Sequence, residues 1–440
     1  MREDETVDTD AQVLLIELNE LNFEFVQAYA DRGELPNFAR FLDRTGYATT
    51  SSEQRYEDLE PWIQWVTAHT GLSLAEHGVF RLGDVVDTDI PQIWEQLATR
   101  GLTVGAISPM NAKCRSRDLA FFVPDPWTKT DVITRPVVRR MFDGIVQAVA
   151  DNAESRVTMR SLLNLALGAA VTARRRNYAR YLGYVAGARR RPWNKAIFLD
   201  LLLADLFVGE VRRHKPQFAT LFLNAAAHIQ HHYMFSSAVY AGAMRNPAWY
   251  VREGFDPLLD VYKAYDRILG DVTAAFPDAR LMIATGLHQD PHPDVTYYWR
   301  LRDHDAFLKR VGARFDAAEP LMSRDFVVRC GSEEDASATA AILASTVDDE
   351  GTRLFEIDNR GRDLFVMLTY PHEIGEQTHY RVGNRRFDGL KAEVAFVAIK
   401  NGQHNGTGYF ADGGKRYSPE TDRFPLKELP ARIVAALETA

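Results

Sequence analysis

Histidine is the chemical feature that stands out in this chain, because several histidines directly follow segments apolar enough to be strands. Three of the twelve lie within five positions, at His228, His231 and His232. His288 and His404 each follow a further apolar segment. Imidazole nitrogen binds zinc, iron, copper or nickel, and mixed sets of histidine and carboxylate hold manganese. The pattern predicts a bound divalent metal, zinc in the first place with manganese or iron as alternatives, that activates water or polarises an ester oxygen.

Carboxylate and amide side chains stand where they would complete such a site. Glu17, Asn19 and Glu20 come at the end of the first apolar segment, and we expect them to supply the remaining metal ligands. Glu60 precedes a helical pattern, and Gln64 lies one turn later. We expect Glu60 to act as a general base or an extra ligand, and the amide of Gln64 to meet an anion at the start of that helix.

An alternation of strand and helix patterns positions these residues. The predicted strands are residues 13–22, 103–107, 218–224, 281–285, 325–330, 354–358, 364–368 and 393–399. The predicted helices are residues 23–32, 36–44, 60–70, 89–100, 197–214, 258–276, 333–347 and 426–437. This rhythm predicts an α/β protein with a mostly parallel sheet flanked by helices, and ligands bind at the carboxyl ends of the strands in such sheets.

The rhythm breaks between residues 131 and 195, where the sequence is helical and basic and shows no strand pattern. We therefore predict an acidic tail at residues 1–12, an α/β core of residues 13–130 and 196–440, and a helical cap insertion at residues 131–195. Two arginine runs, 174–176 and 189–191, stand out in the insertion. They form either a solvated helix face or a surface for an anionic substrate or a membrane.

Composition excludes several classes of protein. A net charge of −8 argues against a nucleic-acid-binding protein, since phosphate backbones favour basic surfaces. Two cysteines are too few for a disulfide framework and fit a reducing compartment. The acidic start lacks the features of a secretion signal, and no apolar run reaches the ~18–20 residues that cross a bilayer. We therefore expect a cytoplasmic protein without a transmembrane segment.

The order of these segments resembles the alkaline phosphatase superfamily, in particular its type I phosphodiesterase/nucleotide pyrophosphatase branch. Three stretches carry the resemblance: GELPNFARFLDRTG (residues 33–46), EPWIQWVTAHTGLSLAEHGVF (60–80) and QHNGTGYF (403–410). NAAAHIQHH (224–232) and ATGLHQ (284–289) stand where the family has "D-x-x-x-H" and "DHG". The resemblance covers most of the chain outside the insertion, and it implies an alkaline-phosphatase-like core that holds divalent metal.

The departures from the family pattern lie in its metal and nucleophile positions. Asn19 stands where the family has its first metal-binding Asp, and Glu60 or Pro61 where it has a Thr or Ser nucleophile. Gln64 falls near the family's phosphate-contacting Asn, and His404 matches the family's last His directly. The resemblance therefore implies direct attack by water instead of attack by a hydroxyl side chain.

These observations together predict a metal-dependent hydrolase or transferase that acts on a phosphate- or sulfate-substituted anionic substrate. The segments LIELNELNF and HIQHHY also resemble a bacterial branch of the superfamily associated with surface-polysaccharide genes, which implies a sugar or glycan intermediate as substrate. Two alternatives stay open. One is a catalytically inactive binding or scaffold protein that kept the fold, and the other is a different metal-dependent reaction on a rebuilt histidine site.

Overall fold

The computed structural model describes residues 12–150, 159–321 and 324–439. The chain forms two compact units. Of the described residues, the first comprises 12–150, 159–291 and 402–439, and the second comprises 292–321 and 324–401. Residues 292–401 of the predicted core are therefore a unit of their own.

The described residues form the following elements. The strands are β1 Val13–Leu18, β2 Ala48–Ser51, β3 Val104–Ile107, β4 Phe121–Val123, β5 Phe218–Leu223, β6 Arg280–Ala284, β7 His288–Leu301, β8 Ala317–Pro320, β9 Asp325–Arg329, β10 Thr346–Asp348, β11 Phe355–Arg360, β12 Asp363–Leu368, β13 Tyr380–Val382, β14 Arg385–Phe387, β15 Val394–Asn405, β16 Thr407–Asp412 and β17 Arg423–Pro425. The helices are α1 Phe23–Asp31, α2 Pro36–Thr45, α3 Pro61–Thr70, α4 Leu74–His77, α5 Ile93–Ala98, α6 Pro136–Ala150, α7 Met159–Thr172, α8 Tyr178–Gly187, α9 Asn194–His214, α10 Ala225–Tyr233, α11 Pro257–Ala275, α12 His304–Val311, α13 Glu333–Ala344, α14 Leu390–Glu393 and α15 Leu429–Thr439.

The first unit is built on an eight-stranded sheet with the order β17-β2-β16-β6-β1-β5-β3-β4. β1 pairs in parallel with β5 and β6, and only β16 runs antiparallel to its neighbours β6 and β2. Every residue of β1 and β5 is buried, as expected of parallel strands that helices cover on both faces. The structure thus confirms the predicted α/β class with a mostly parallel, helix-flanked sheet.

The second unit has antiparallel sheets. One has the order β11-β12-β9-β8 and another the order β10-β13-β14. Tyr380 stacks on Phe387 and Phe307, with ring centroids 5.0 and 5.7 Å away, and so contributes to an aromatic core of this unit.

Some predicted elements differ from the structure. The helix expected at residues 89–100 is the shorter α5, with Gln92 at its N-cap. Pro91 explains the late start, because the residue before a proline is disfavoured in helical geometry. His404 was expected after a strand that ends at residue 399, but β15 continues to Asn405 and pairs with β7, so His404 lies inside a strand.

The predicted insertion is helical where the structure describes it, since α6, α7 and α8 fall within residues 131–195. Its described residues group with the first unit, and its role as a cap stays a prediction. None of the described helices combines the length and the apolar character that crossing a bilayer requires.

Candidate metal centre

The turn after β1 places Glu20 between two neighbouring strands. The backbone amide of Asn19 donates to the Leu223 carbonyl at 3.0 Å, and that of Glu20 donates to the Thr285 carbonyl at 3.1 Å. Glu20 has a φ of 57°, in the left-handed region that favours glycine. Such a conformation costs roughly 1–3 kcal/mol in a residue with a side chain, and it recurs at functional sites. The turn thus directs one particular carboxylate, which is buried, towards the edge of the sheet.

Helix α10, which follows β5, brings His231 to the same edge. The neighbouring Gln230 is fully buried and locks the helix against the turn after β1. Its amide nitrogen donates to the Glu20 carbonyl at 2.7 Å, and its amide oxygen accepts from the backbone of Asn22 at 3.2 Å. Because these bonds join α10 to the residues around Glu20, the position of His231 relative to that carboxylate is well defined.

Glu20, His231 and His404 form a compact three-ligand group. Glu20 Oε2 lies 3.1 Å from His231 Nε2 and 3.2 Å from His404 Nε2, and the two ring nitrogens are 3.3 Å apart. Ligand atoms around a tetrahedral zinc are about 3.3–3.4 Å apart, and those on one face of an octahedral metal are about 3.0 Å apart. The observed triangle has edges between these values, so the three atoms fit one divalent metal without rearrangement.

The charge state of Glu20 suits this role. Burial alone would raise the pKa of Glu20, but the charges and hydrogen bonds of His404 and His231 outweigh it and hold that pKa well below its usual range. Glu20 is therefore an ionised carboxylate. The side chains of His231 and His404 are 30% and 12% exposed, so solvent reaches the group from the histidine side.

Two amide side chains orient the Glu20 carboxylate. The Asn19 amide donates to Oε1 at 3.1 Å, and the Gln289 amide donates to Oε2. Gln289 also donates to the carbonyl of Ala227 on α10 at 2.9 Å. Partners of this kind fix the direction of a ligand's lone pairs and tune its affinity for metal.

The structure places the other two residues of the first segment in supporting or unrelated positions. Glu17, predicted as a ligand, is still within β1, and its carboxylate contacts His69 Nε2 on α3 at 3.0 Å, away from the group. Asn19 accepts from the Trp65 indole at 2.7 Å and donates to Asn224 at 2.8 Å as well as to Glu20. With its oxygen and its amide protons engaged, Asn19 contacts Glu20 from outside the three-ligand group, and its role as a ligand stays a prediction.

Three predicted histidines lie outside the group. His228 and His232 are one turn apart on α10, with ring centroids 5.0 Å from each other. His288 is buried, with Nδ1 at the Thr407 carbonyl and Nε2 3.1 Å from Asp290. Both of its ring nitrogens thus face oxygens of the protein. The structure therefore brings His404 together with His231 and Glu20. It does not place His228, His232 and His288 in the same group.

The two predicted catalytic residues have different surroundings. Glu60 caps α3 and is partly exposed. Gln64 is fully buried, and its amide nitrogen donates to the Asp58 carbonyl at 2.7 Å. Its amide is therefore enclosed by the protein, and the contact of Gln64 with an anion stays a prediction.

Tyr56 is a site residue that the sequence patterns missed. Its pKa is raised by burial and then by the nearby charges of Glu60 and Glu20, while a hydrogen bond with the backbone of His404 opposes the rise. The Tyr56 hydroxyl therefore lies at the backbone of His404, and the Glu60 carboxylate lies near Tyr56. No motif marks Tyr56, which lies in a short 3₁₀ segment before α3.

No protein-family model and no curated protein sequence matches the chain. Among solved structures, it is similar to phosphonoacetate hydrolase from Sinorhizobium meliloti 1021 in complex with phosphonoacetate, with a TM-score of 0.46, 13% identity, and coverage of 98% of this chain and 96% of that one. It is also similar to human ectonucleotide pyrophosphatase/phosphodiesterase 5, with a TM-score of 0.44, 10% identity, and coverage of 97% and 94%.

A third similar structure is the TAB5 alkaline phosphatase His 135 Glu mutant with Mg bound, with a TM-score of 0.41, 9% identity, and coverage of 98% and 99%. All three proteins are members of the alkaline phosphatase superfamily.

Proposed function

We propose that the chain is a metal-dependent hydrolase of phosphate or sulfate esters, with one divalent metal held by Glu20, His231 and His404. The observation that supports this most directly is the triangle of ligand atoms with edges of 3.1–3.3 Å. Two imidazoles and one carboxylate are a ligand set found in hydrolytic zinc sites, and zinc is therefore the first candidate. When bound there, such a metal would act as a Lewis acid and lower the pKa of water towards ~7.

Glu60 and Tyr56 supply the proton transfers that ester hydrolysis requires. Glu60 is the carboxylate that can accept a proton from an attacking water, and Tyr56 can donate its proton to the oxygen of the leaving alcohol. Pro61 has no hydroxyl at the position where the resemblance expects a nucleophile, so water attacks phosphorus or sulfur directly and the ester oxygen departs. By the resemblance, the ester belongs to a sugar or glycan intermediate of surface polysaccharide metabolism.

A second candidate function rests on the same ligand set. Two histidines and one carboxylate on one face of a metal, with open positions, are also typical of non-haem Fe(II) oxygenases. This arrangement favours an oxidative reaction as the alternative to hydrolysis.

We also propose a cytoplasmic location. Cys114 and Cys330 are both free and buried, which agrees with the reducing compartment that the sequence predicts.

Metal analysis and turnover test the proposal together. Protein purified without added metal is analysed by mass spectrometry of its elements, and hydrolysis of p-nitrophenyl phosphate, bis-p-nitrophenyl phosphate and p-nitrophenyl sulfate is followed with Zn²⁺, Mn²⁺ or Fe²⁺. We expect about one equivalent of metal, and loss of both metal and turnover by about a hundredfold or more in His404→Gln and His231→Gln. His372→Gln, the same change at an exposed histidine, is the control.

The Glu60→Gln variant separates the catalytic proposal from the metal proposal. Its metal content should equal that of the wild type while kcat falls by about 10²–10⁴-fold. Turnover of Glu60→Gln equal to that of the wild type removes Glu60 from the mechanism. Bound metal without turnover of any ester favours the scaffold protein, and iron with oxygen consumption favours the oxidative alternative.

A further inference from the structure

Helices α7 and α8 expose apolar faces to solvent. Both helices pack against α9. The exposed residues described on them are Leu163, Ala166, Leu167, Ala170 and Val171 on α7, and Tyr178, Ala179, Leu182, Gly183, Val185 and Ala186 on α8. None of these carries a charge. The exposed face of a surface helix is normally polar, so the apolar outer faces of these two helices are unusual for a surface helix.

Large apolar side chains on the outer faces of these helices are exposed, although Tyr181 and Leu165 pack inward. Leu167 and Leu182 are 61% and 71% exposed. On the inner side of α7, a Cβ atom at Gly168 would lie 2.3 Å from Met141 Cβ, and the Thr172 hydroxyl lies 3.7 Å from the Met141 sulfur. The inner face is therefore closely packed, and a rotation of α7 that buries its leucines is blocked.

Basic side chains border the apolar faces. Residues 155–199 contain no acidic residue, and the basic side chains from 174 onward are Arg174, Arg175, Arg176, Arg180, Arg189, Arg190, Arg191 and Lys195. Arg175 and Arg176 are exposed in the connection between α7 and α8, and Arg189 and Arg190 are exposed just after α8. The ion pairs of this segment engage Arg174 and Arg176 with Asp271, and Arg191 with Asp260. A positive border thus surrounds an apolar surface on a chain whose net charge is −8.

We infer that the outer faces of α7 and α8 bind the surface of an anionic lipid bilayer. Exposed leucine, valine and tyrosine side chains enter the boundary between headgroups and acyl chains, while arginines contact the anionic headgroups. A second copy of this chain fits the surface less well, because a two-fold interface would bring the same exposed arginines of both copies together. The inference is independent of the metal site, and it places the protein at a membrane through the outer faces of two surface helices.

Vesicle flotation tests this surface. The full chain is mixed with vesicles of pure phosphatidylcholine or of phosphatidylcholine with phosphatidylglycerol, at low and at high salt. We expect binding to the anionic vesicles that weakens with salt, since screening reduces the contribution of exposed charges. The double variant Leu167→Asp/Leu182→Asp should reduce the bound fraction by about tenfold or more. Arg175→Glu/Arg189→Glu should abolish the preference for anionic vesicles.

Matched controls change the same residue types elsewhere. Leu321→Asp and Arg117→Glu are exposed substitutions outside these helices, and both should bind vesicles as the wild type does. Circular dichroism and metal content establish that each variant is folded. Equal binding of the wild type to both kinds of vesicle, or binding to neither, overturns the inference. So does self-association in light scattering that Leu167→Asp/Leu182→Asp removes, because a second copy then covers this surface.

Discussion

Asp200 connects the stability of the fold to the helix that carries His231. Its side chain is buried, and Oδ2 accepts hydrogen bonds from the Tyr265 hydroxyl at 2.6 Å and from the backbone of Ala225, the first residue of α10, at 2.7 Å. Burial raises the pKa of Asp200 to about 7, although these hydrogen bonds lower it in part. The folded protein therefore keeps Asp200 protonated at pH values at which the unfolded chain, with a pKa of about 3.9, has ionised it.

The direction and size of the pH effect follow from these two pKa values. Between them the folded state binds one more proton than the unfolded state, so raising the pH destabilises the fold. A difference of about 3 pKa units corresponds to about 4 kcal/mol of unfolding free energy lost between about pH 4 and about pH 7. Below about pH 4 the carboxyl group is protonated in both states and contributes no slope.

Asp200→Asn removes the titration and retains an oxygen that can accept both hydrogen bonds. We expect the unfolding free energy of the variant, relative to the wild type, to rise by about 4 kcal/mol between about pH 4 and about pH 7. Urea unfolding at a series of pH values measures this change, and a constant offset between the two proteins cancels. Asp278→Asn, the same substitution at an exposed position, is the control. A difference that does not vary with pH would refute the reasoning, since Asp200 would then be ionised in the folded protein.

Three further outcomes are expected. Burial lowers the pKa of His77 to about 4, so the wild type should lose about 3 kcal/mol of unfolding free energy as the pH falls from about 6.5 to about 4. Urea titrations over that range should show a smaller loss for His77→Gln. Gln289→Leu removes a hydrogen-bond donor to Glu20 and should weaken metal binding by about 10–100-fold, measured in competition with a chromophoric chelator. An unchanged affinity would show that Gln289 does not orient the Glu20 carboxylate for metal binding. Asp266 accepts from two backbone amides at the start of α2, and Asp266→Ala should lower the unfolding free energy by about 2 kcal/mol in chemical denaturation, with a loss near zero contradicting the role as a cap.

Local sequence patterns were sufficient for β1 and β5, but they predicted neither α10, which carries His231, nor β7. β1 and β5 are continuous apolar runs because helices cover both faces of the sheet, and that requirement is visible in the residues themselves. The helical character of α6, α7 and α8 was equally apparent, since their segment lacks any strand pattern. The accumulation of histidines after apolar segments also indicated the segment that contains His231, whose role as a ligand stays a prediction.

Which residues of the first segment belong to the three-ligand group depends on where the backbone turns after β1. Glu17, Asn19 and Glu20 are equivalent candidates in the sequence, but β1 ends at Leu18, so Glu17 stays in the strand and contacts His69. Glu20 adopts a left-handed conformation that no local propensity predicts, and this turns its carboxylate towards α10.

The choice among the histidines was decided in the same way. His231 and His404 are 173 residues apart, and only the pairing of β15 with β7 and the packing of α10 bring their ring nitrogens to 3.3 Å. His232 lies on a different side of α10 from His231, because successive residues on a helix are rotated by ~100°, whereas His228 lies one turn before His231. Residue types and their spacing thus identify candidate ligands. Three-dimensional packing selects among the candidates, because ligand atoms that share one metal must lie within about 3 Å of one another.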